Sequence, residues 1–200
     1  KRRGTAQPGK GNHAMKKLLV RLFCLVCAAG LVFSLWNIWT ILSEYREGDQ
    51  MYESAASQYV SSQPEQQAEA DPNKVPIQVD FDHLKAQNPD VVGWLYCEGT
   101  PINYPVMQGR TNDDYLYTML DGSYNKAGSL FLDCAADPGF QDPAPVIYGH
   151  SMKNDSMFGT LHDFSKQEYY DAHPVMWLLT PEKNWRLDLI AGYVTVDTDQ

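Results

Sequence analysis

The feature that most constrains this chain is an uncharged run of 21 residues, Leu22 to Leu42, reading LFCLVCAAGLVFSLWNIWTIL. As a helix it extends about 31 Å, close to the thickness of a bilayer's hydrocarbon core. Only Ser34, Asn37 and Thr40 interrupt it as markedly polar residues. Residues 1–21 hold seven basic side chains and no acid, leaving nine basic against 25 acidic residues downstream. A basic flank before an apolar span places the N-terminus in the cytoplasm and everything after residue 43 outside. Trp36 and Trp39 lie near the outer end, where indole rings favour the interface. A cleaved signal peptide shares the basic head, but its apolar part is shorter, about 7–15 residues, and no small-x-small cleavage site follows here. The reading is an uncleaved single-pass anchor in the cell membrane, and Met15-Lys16-Lys17 looks like a natural start.

The organisation expected from this is a basic cytoplasmic head (1–21), a transmembrane anchor (22–42), a polar stalk (43–74) and an exported body (75–200). The first half of the stalk is compatible with continued helix. The second, rich in Gln, Glu, Ala, Asp and Pro, has no apolar period and reads as solvated. The acidic body lacks the positive face that phosphate binding needs, which argues against a nucleic-acid partner. Cys24 and Cys27 sit inside the apolar span, where packing explains them better than metal or redox chemistry. Cys97 and Cys134 fall in the exported part, as a disulfide or as separate thiols.

In the body, VDFDHLKAQNPD carries an Asp cap before an apolar pair and stops at Asn88-Pro89, which predicts a short helix. WLYCEG, INYPVMQG, GSLFLDC, APVIYGH, VMWLLTP and RLDLIAGYVTVD are short β-rich runs bounded by Gly, Pro, Asn or Asp. DDYLYTML (113–120), SMFGTLHDF and KQEYYDAH read as helical insertions. Many short strands with few helices predict a mixed or antiparallel β barrel decorated by helices. Asp113 and Asp114 read as a helix N-terminus rather than an acid/base pair. His150, where PVIYGH ends, is the sharpest candidate for chemistry: a strand end holds an imidazole firmly, and imidazole exchanges protons near neutrality. His162 and His173 are weaker candidates, and the three histidines lack the compact spacing of a zinc site.

NPDVVGWLYCEGTPINYPVMQGRTNDDYL, KAGSLFLD, VIYGHSMKNDSMFGTLHDF and YYDAH follow one another in an order and spacing that resemble the class B sortases, membrane-anchored cysteine transpeptidases of Gram-positive bacteria. The resemblance covers residues 80–197. It implies a mainly β fold, an eight-stranded sortase-type barrel with an N-terminal helical extension, preceded here by one transmembrane helix. It implies cleavage of the C-terminal sorting signal of exported surface proteins through a thioacyl intermediate, and transfer to a peptidoglycan or pilin amine. His150 matches the family's catalytic histidine. Asn112, Leu116 and Tyr148 match positions bordering the sorting-signal groove, the first two on a helix. The resemblance implies no metal or organic cofactor. The family's nucleophilic Cys, in a Thr-Leu-Ser-Thr-Cys type motif, and its Arg belong to later strands, so both are expected beyond residue 200, and neither Cys97 nor Cys134 matches. A membrane-tethered, non-catalytic sortase-like binding module is the alternative, and attack by Cys134 a more distant one.

Overall fold

The protein is described from a computed structural model, which covers residues 11–62 and 74–193. The basic residues Lys1, Arg2, Arg3 and Lys10 and the Gln- and Glu-rich half of the expected stalk, 63–73, lie outside the described residues. The chain divides into two units, residues 1–43 and 44–200.

In the first unit, helix α1 (Gly11–Tyr59 in full) carries the apolar run, whose large apolar side chains are exposed. It is long and apolar enough to cross a membrane. Its polar side chains bond within the helix. Asn37 Nδ2 donates to the Phe33 carbonyl at 2.8 Å and Thr40 Oγ1 to that of Trp36 at 3.0 Å. Such internal pairing makes polar groups tolerable where water is absent.

The body begins earlier than the sequence reading placed it. Residues 44–59, expected as part of a stalk, are the last turns of α1 and lay Tyr52, Ala55 and Tyr59 into the core. This i, i+3, i+7 stripe is narrow and set among Glu, Gln and Ser, so the segment's overall polarity concealed its apolar face. Tyr52 is 3% exposed, and its hydroxyl donates to the Gly128 carbonyl at 2.5 Å and lies 2.9 Å from Ser129 Oγ. Burial drives its phenol far above the ordinary tyrosine range, so it stays protonated and able to donate.

Strand β1 (Val60–Ser62) continues from α1 and pairs antiparallel with β2 (Ile77–Val79). Helix α2 (Phe81–Gln87) is capped by Asp80, whose side chain accepts from the His83 backbone N–H, and it stops at Asn88 as its sequence requires. The main sheet contains β3 (Val91–Tyr96), β4 (Asn103–Met107), β5 (Leu130–Leu132), β6 (Ile147–Tyr148), β7 (Val175–Leu179) and β8 (Asn184–Asp188). Their order is β6-β5-β4-β3-β7-β8, antiparallel except for the parallel pair β4/β5. A parallel neighbour needs a long crossover, and residues 108–129 supply it. Trp94, Val106, Leu130 and Leu132 are fully buried at the centre, consistent with near-continuous apolar strands. SMFGTLHDF forms a 3₁₀ helix (Gly159–Ser165) and KQEYYDAH the short helix α3 (Gln167–Ala172).

Tyr52→Phe keeps the ring but strands the Gly128 carbonyl in the core. The expected cost is about 1–3 kcal/mol, measurable as a lower unfolding midpoint of the body in detergent.

Candidate functional site

The site is assembled where β6 ends. Gly149 is needed by packing, since a Cβ there would lie 2.3 Å from Leu130 Cδ2 and 2.8 Å from the Phe158 ring. With the strand held that close to the core, His150 emerges half-buried, neither sealed inside nor free in water. Its Nε2 lies 2.8 Å from the Leu116 carbonyl, and its ring stacks on Tyr117 at 5.3 Å and 28°. A carbonyl oxygen can only accept, so Nε2 carries the hydrogen and Nδ1 is the nitrogen left for proton exchange.

The segment that receives the imidazole departs from the expected helix. Residues 112–116 form consecutive turns. The carbonyls of Tyr115, Leu116 and Tyr117 bond to Ser129 N, His150 Nε2 and Asn125 N respectively, so tertiary donors take the acceptors that helical i+4 amides would use. Asp114, read as part of a helix N-terminus, closes the first turn by accepting from the backbone N–H groups of Arg110 and Thr111 and from Thr111 Oγ1. Gly128, at φ +56, touches this segment so closely that a Cβ would sit 2.2 Å from the Leu116 oxygen. Leu116 is half-buried beside it.

Asn112 and Tyr148 meet at a residue the sequence reading did not single out. Asp133, just past β5, accepts from Asn112 Nδ2 at 3.2 Å and from the Tyr148 hydroxyl at 3.1 Å through the same oxygen. Its other oxygen accepts from the Ala135 backbone at 2.9 Å. Asn112 in turn accepts from the Cys134 backbone N–H at 2.8 Å. These bonds, the one from Ala135 foremost, hold the Asp133 carboxyl below its ordinary range, while the carboxylate pushes the Tyr148 phenol upward. The signal available in the sequence was a lone acid closing the apolar run LFLD, a strand end like that of His150.

Beyond His150 the chain turns sharply, with Asp155 at φ 64 and Met157 at φ 54. Non-glycine residues held there cost roughly 1–3 kcal/mol each. Met157 is fully buried and its backbone N–H donates to the Tyr104 hydroxyl at 3.1 Å.

The remaining candidates sit apart. Cys97 and Cys134 are both free thiols. Cys97 is buried after β3, its Sγ donates to the Val175 carbonyl at 3.5 Å, and burial pushes its thiol up, away from the thiolate form. Cys134 is exposed on the Asn112 side. His162 bonds the Gly159 carbonyl and His173 Nδ1 the Glu98 carbonyl at 2.8 Å, so the three histidines engage three different backbone segments. Among the described residues no group of three or more His, Cys, Asp or Glu side chains is arranged to hold a metal.

No protein-family model matches the chain. Sortase B of Staphylococcus aureus is 32% identical over 123 residues, covering 62% of this chain and 50% of the relative. Sortase B of Listeria monocytogenes is 29% identical over 181 residues, covering 90% and 72%. The chain thus spans half the length of the first relative and under three quarters of the second. Among solved structures, sortase B from Bacillus anthracis in complex with AAEK1 aligns with a TM-score of 0.62 at 28% identity, covering 80% of this chain and 75% of that one. The Staphylococcus aureus sortase B–substrate complex aligns at 0.57 and 33%, covering 60% and 55%. A Streptococcus pyogenes class B sortase involved in pilus biogenesis aligns at 0.52 and 31%, covering 60% and 70%. With both sequence and fold in agreement, the chain belongs to the class B sortase family.

Proposed function

We propose that this protein is a membrane-tethered cysteine transpeptidase that cuts the C-terminal sorting signal of exported proteins and joins them to a cell-wall amine, a peptidoglycan or pilin acceptor. The observation that carries the reading is the half-buried imidazole of His150, fixed through Nε2 and stacked on Tyr117, two residues along the chain from Tyr148 of the Asn112–Asp133–Tyr148 group. A solved relative that binds substrate, the Staphylococcus aureus sortase B complex, supports it. The apolar α1 run supports an anchor, with the N-terminus cytoplasmic and the body outside.

In this reading a thiolate attacks the carbonyl carbon of the scissile bond. Protonated His150 gives its Nδ1 proton to the departing amine as the C–N bond breaks and the thioester forms. The acceptor amine then attacks the thioester, His150 takes up the amine's proton, and the thiolate leaves. Nε2–H remains on Leu116 throughout, so the ring exchanges protons without turning. Asn112, Leu116 and Tyr148 line the path of the sorting-signal peptide, with Asp133 setting the orientation of the first and last. The buried thiol of Cys97 is unsuited to attack, and this reading assigns the attacking thiolate to neither Cys97 nor Cys134.

In the protein expressed from its native reading frame, His150→Ala is expected to lower cleavage of a fluorogenic sorting-signal peptide by about 10²–10⁴-fold, with the thermal midpoint moving only a few degrees. Retained turnover refutes the role. Leu116→Ala and Tyr148→Phe are expected chiefly to raise KM.

A second expectation concerns acid. The Asp133 carboxyl has a folded pKa below its unfolded value of about 3.9, so its contribution is complete above that value and disappears as pH falls through the folded pKa. Asp133→Asn should therefore lose less thermal stability than the parent between pH 5 and pH 3. An equal loss in both proteins would show that Asp133 is not a source of this dependence.

A further inference from the structure

The C-terminal turns of α1 bond to two stretches that themselves adjoin the His150 site. On one side, the Glu44 carbonyl accepts from Asn125 Nδ2 at 2.9 Å, the Glu44 carboxylate pairs with Lys126 at 2.7 Å, and Tyr52 bonds Gly128. Asn125 and Gly128 belong to the stretch packed against Tyr115–Tyr117, where the imidazole is received. On the other side, Asn154 Nδ2 donates to both oxygens of Asp49, at 3.0 and 3.2 Å, and Ser156 Oγ donates to Asn154 Oδ1 at 2.8 Å. Asn154 and Ser156 belong to the turn that follows His150, which includes the two left-handed residues Asp155 and Met157. Phe158 N closes that turn on the His150 carbonyl at 2.9 Å.

A cleft of about 370 Å³, lined in part by Asp49, Glu53, Thr100, Asn154 and Ser156, opens at this junction. At this junction polar contacts join helix and turn, Asp49 meeting Asn154 and Ser156, while Met157 is anchored in the core one residue further on. A turn with two residues in an unfavourable backbone region persists only when its surroundings over-determine it. The chain N-terminal to it is the two-residue strand β6, too short to fix the histidine alone.

From this geometry we infer that Asp49, on the helix that leads out of the apolar run, is a positioning residue for His150: its carboxylate holds Asn154, Asn154 holds the turn, and the turn holds the imidazole on the Leu116 carbonyl. The inference deepens the proton-carrier reading of His150 and rests on it for its catalytic meaning, but the mechanical link can be tested without turnover.

The experiment uses the full chain in detergent micelles with ¹⁵N-labelled histidine. In the parent, the His150 Nε2–H is expected to be visible and slow to exchange. Asp49→Ala should accelerate that exchange at least tenfold, or erase the signal, while the ring resonances of His83, His162 and His173 stay in place. Asp49→Asn retains an oxygen to accept from Asn154 Nδ2 and should restore the parent signal. Asn154→Ala cuts the same link from the exposed turn and should reproduce the effect of Asp49→Ala, which keeps the test available if Asp49→Ala fails to fold. An unchanged His150 signal in Asn154→Ala, or an Asp49→Asn variant as perturbed as a folded Asp49→Ala, overturns the inference. In the native-frame protein, Asp49→Ala should lower kcat about tenfold or more with KM little changed. If the His150 signal moves and kcat does not, the proton-carrier role fails while the link stands.

Discussion

The hydrogen bond from His150 Nε2 to the Leu116 carbonyl is the constraint around which the site is organised. It requires a carbonyl withdrawn from helical pairing, and the 112–117 stretch supplies one by folding into turns whose oxygens point at three different donors. The stretch in turn requires a neighbour with no side chain, because Gly128 occupies the space against the same oxygen that any Cβ would need. Both belong to the crossover between β4 and β5. Parallel pairing of these strands makes a long connection unavoidable, and that connection carries both the Leu116 carbonyl and Gly128.

Much of the architecture could be read from local pattern. Asp80 and Asn88 delimit α2 because a cap and a residue before proline act within one turn of chain. The six strands of the main sheet overlap the β-rich runs because each is short and bounded by breakers. By contrast, β1 and β2 fall in no such run, and the last run is strand only as far as Asp188. The failures share a cause in long-range competition. DDYLYTML has the composition of a helix, but Ser129, Asn125 and His150 claim its carbonyls from 8 to 34 residues away. Residues 44–59 look solvated because three buried side chains are diluted among polar ones, and nothing local shows that Tyr52 finds a carbonyl 76 residues later.

The site was legible to a similar degree. His150, Asn112, Leu116 and Tyr148 stand in stretches whose order resembles a known family, and the structure brings Asn112 to Tyr148 and Leu116 to His150. Asp133 and Asp49 escaped because each matters through partners distant in sequence: Asn112 and Tyr148 for one, Asn154 for the other. A carboxylate with no motif around it carries no label until its hydrogen-bond donors are in place.

Cys134 has a practical consequence for any chemical census of this protein's sulfur atoms. Its thiol faces water while its backbone N–H is fastened to Asn112, so a bulky maleimide or iodoacetamide adduct would project beside the Asn112–Asp133–Tyr148 group. Under the proposed transpeptidase reading, inhibition by such a reagent would therefore not identify the attacking atom. Blocking of the entrance and loss of the nucleophile would look alike in a rate assay, and a Cys134→Ser background separates them.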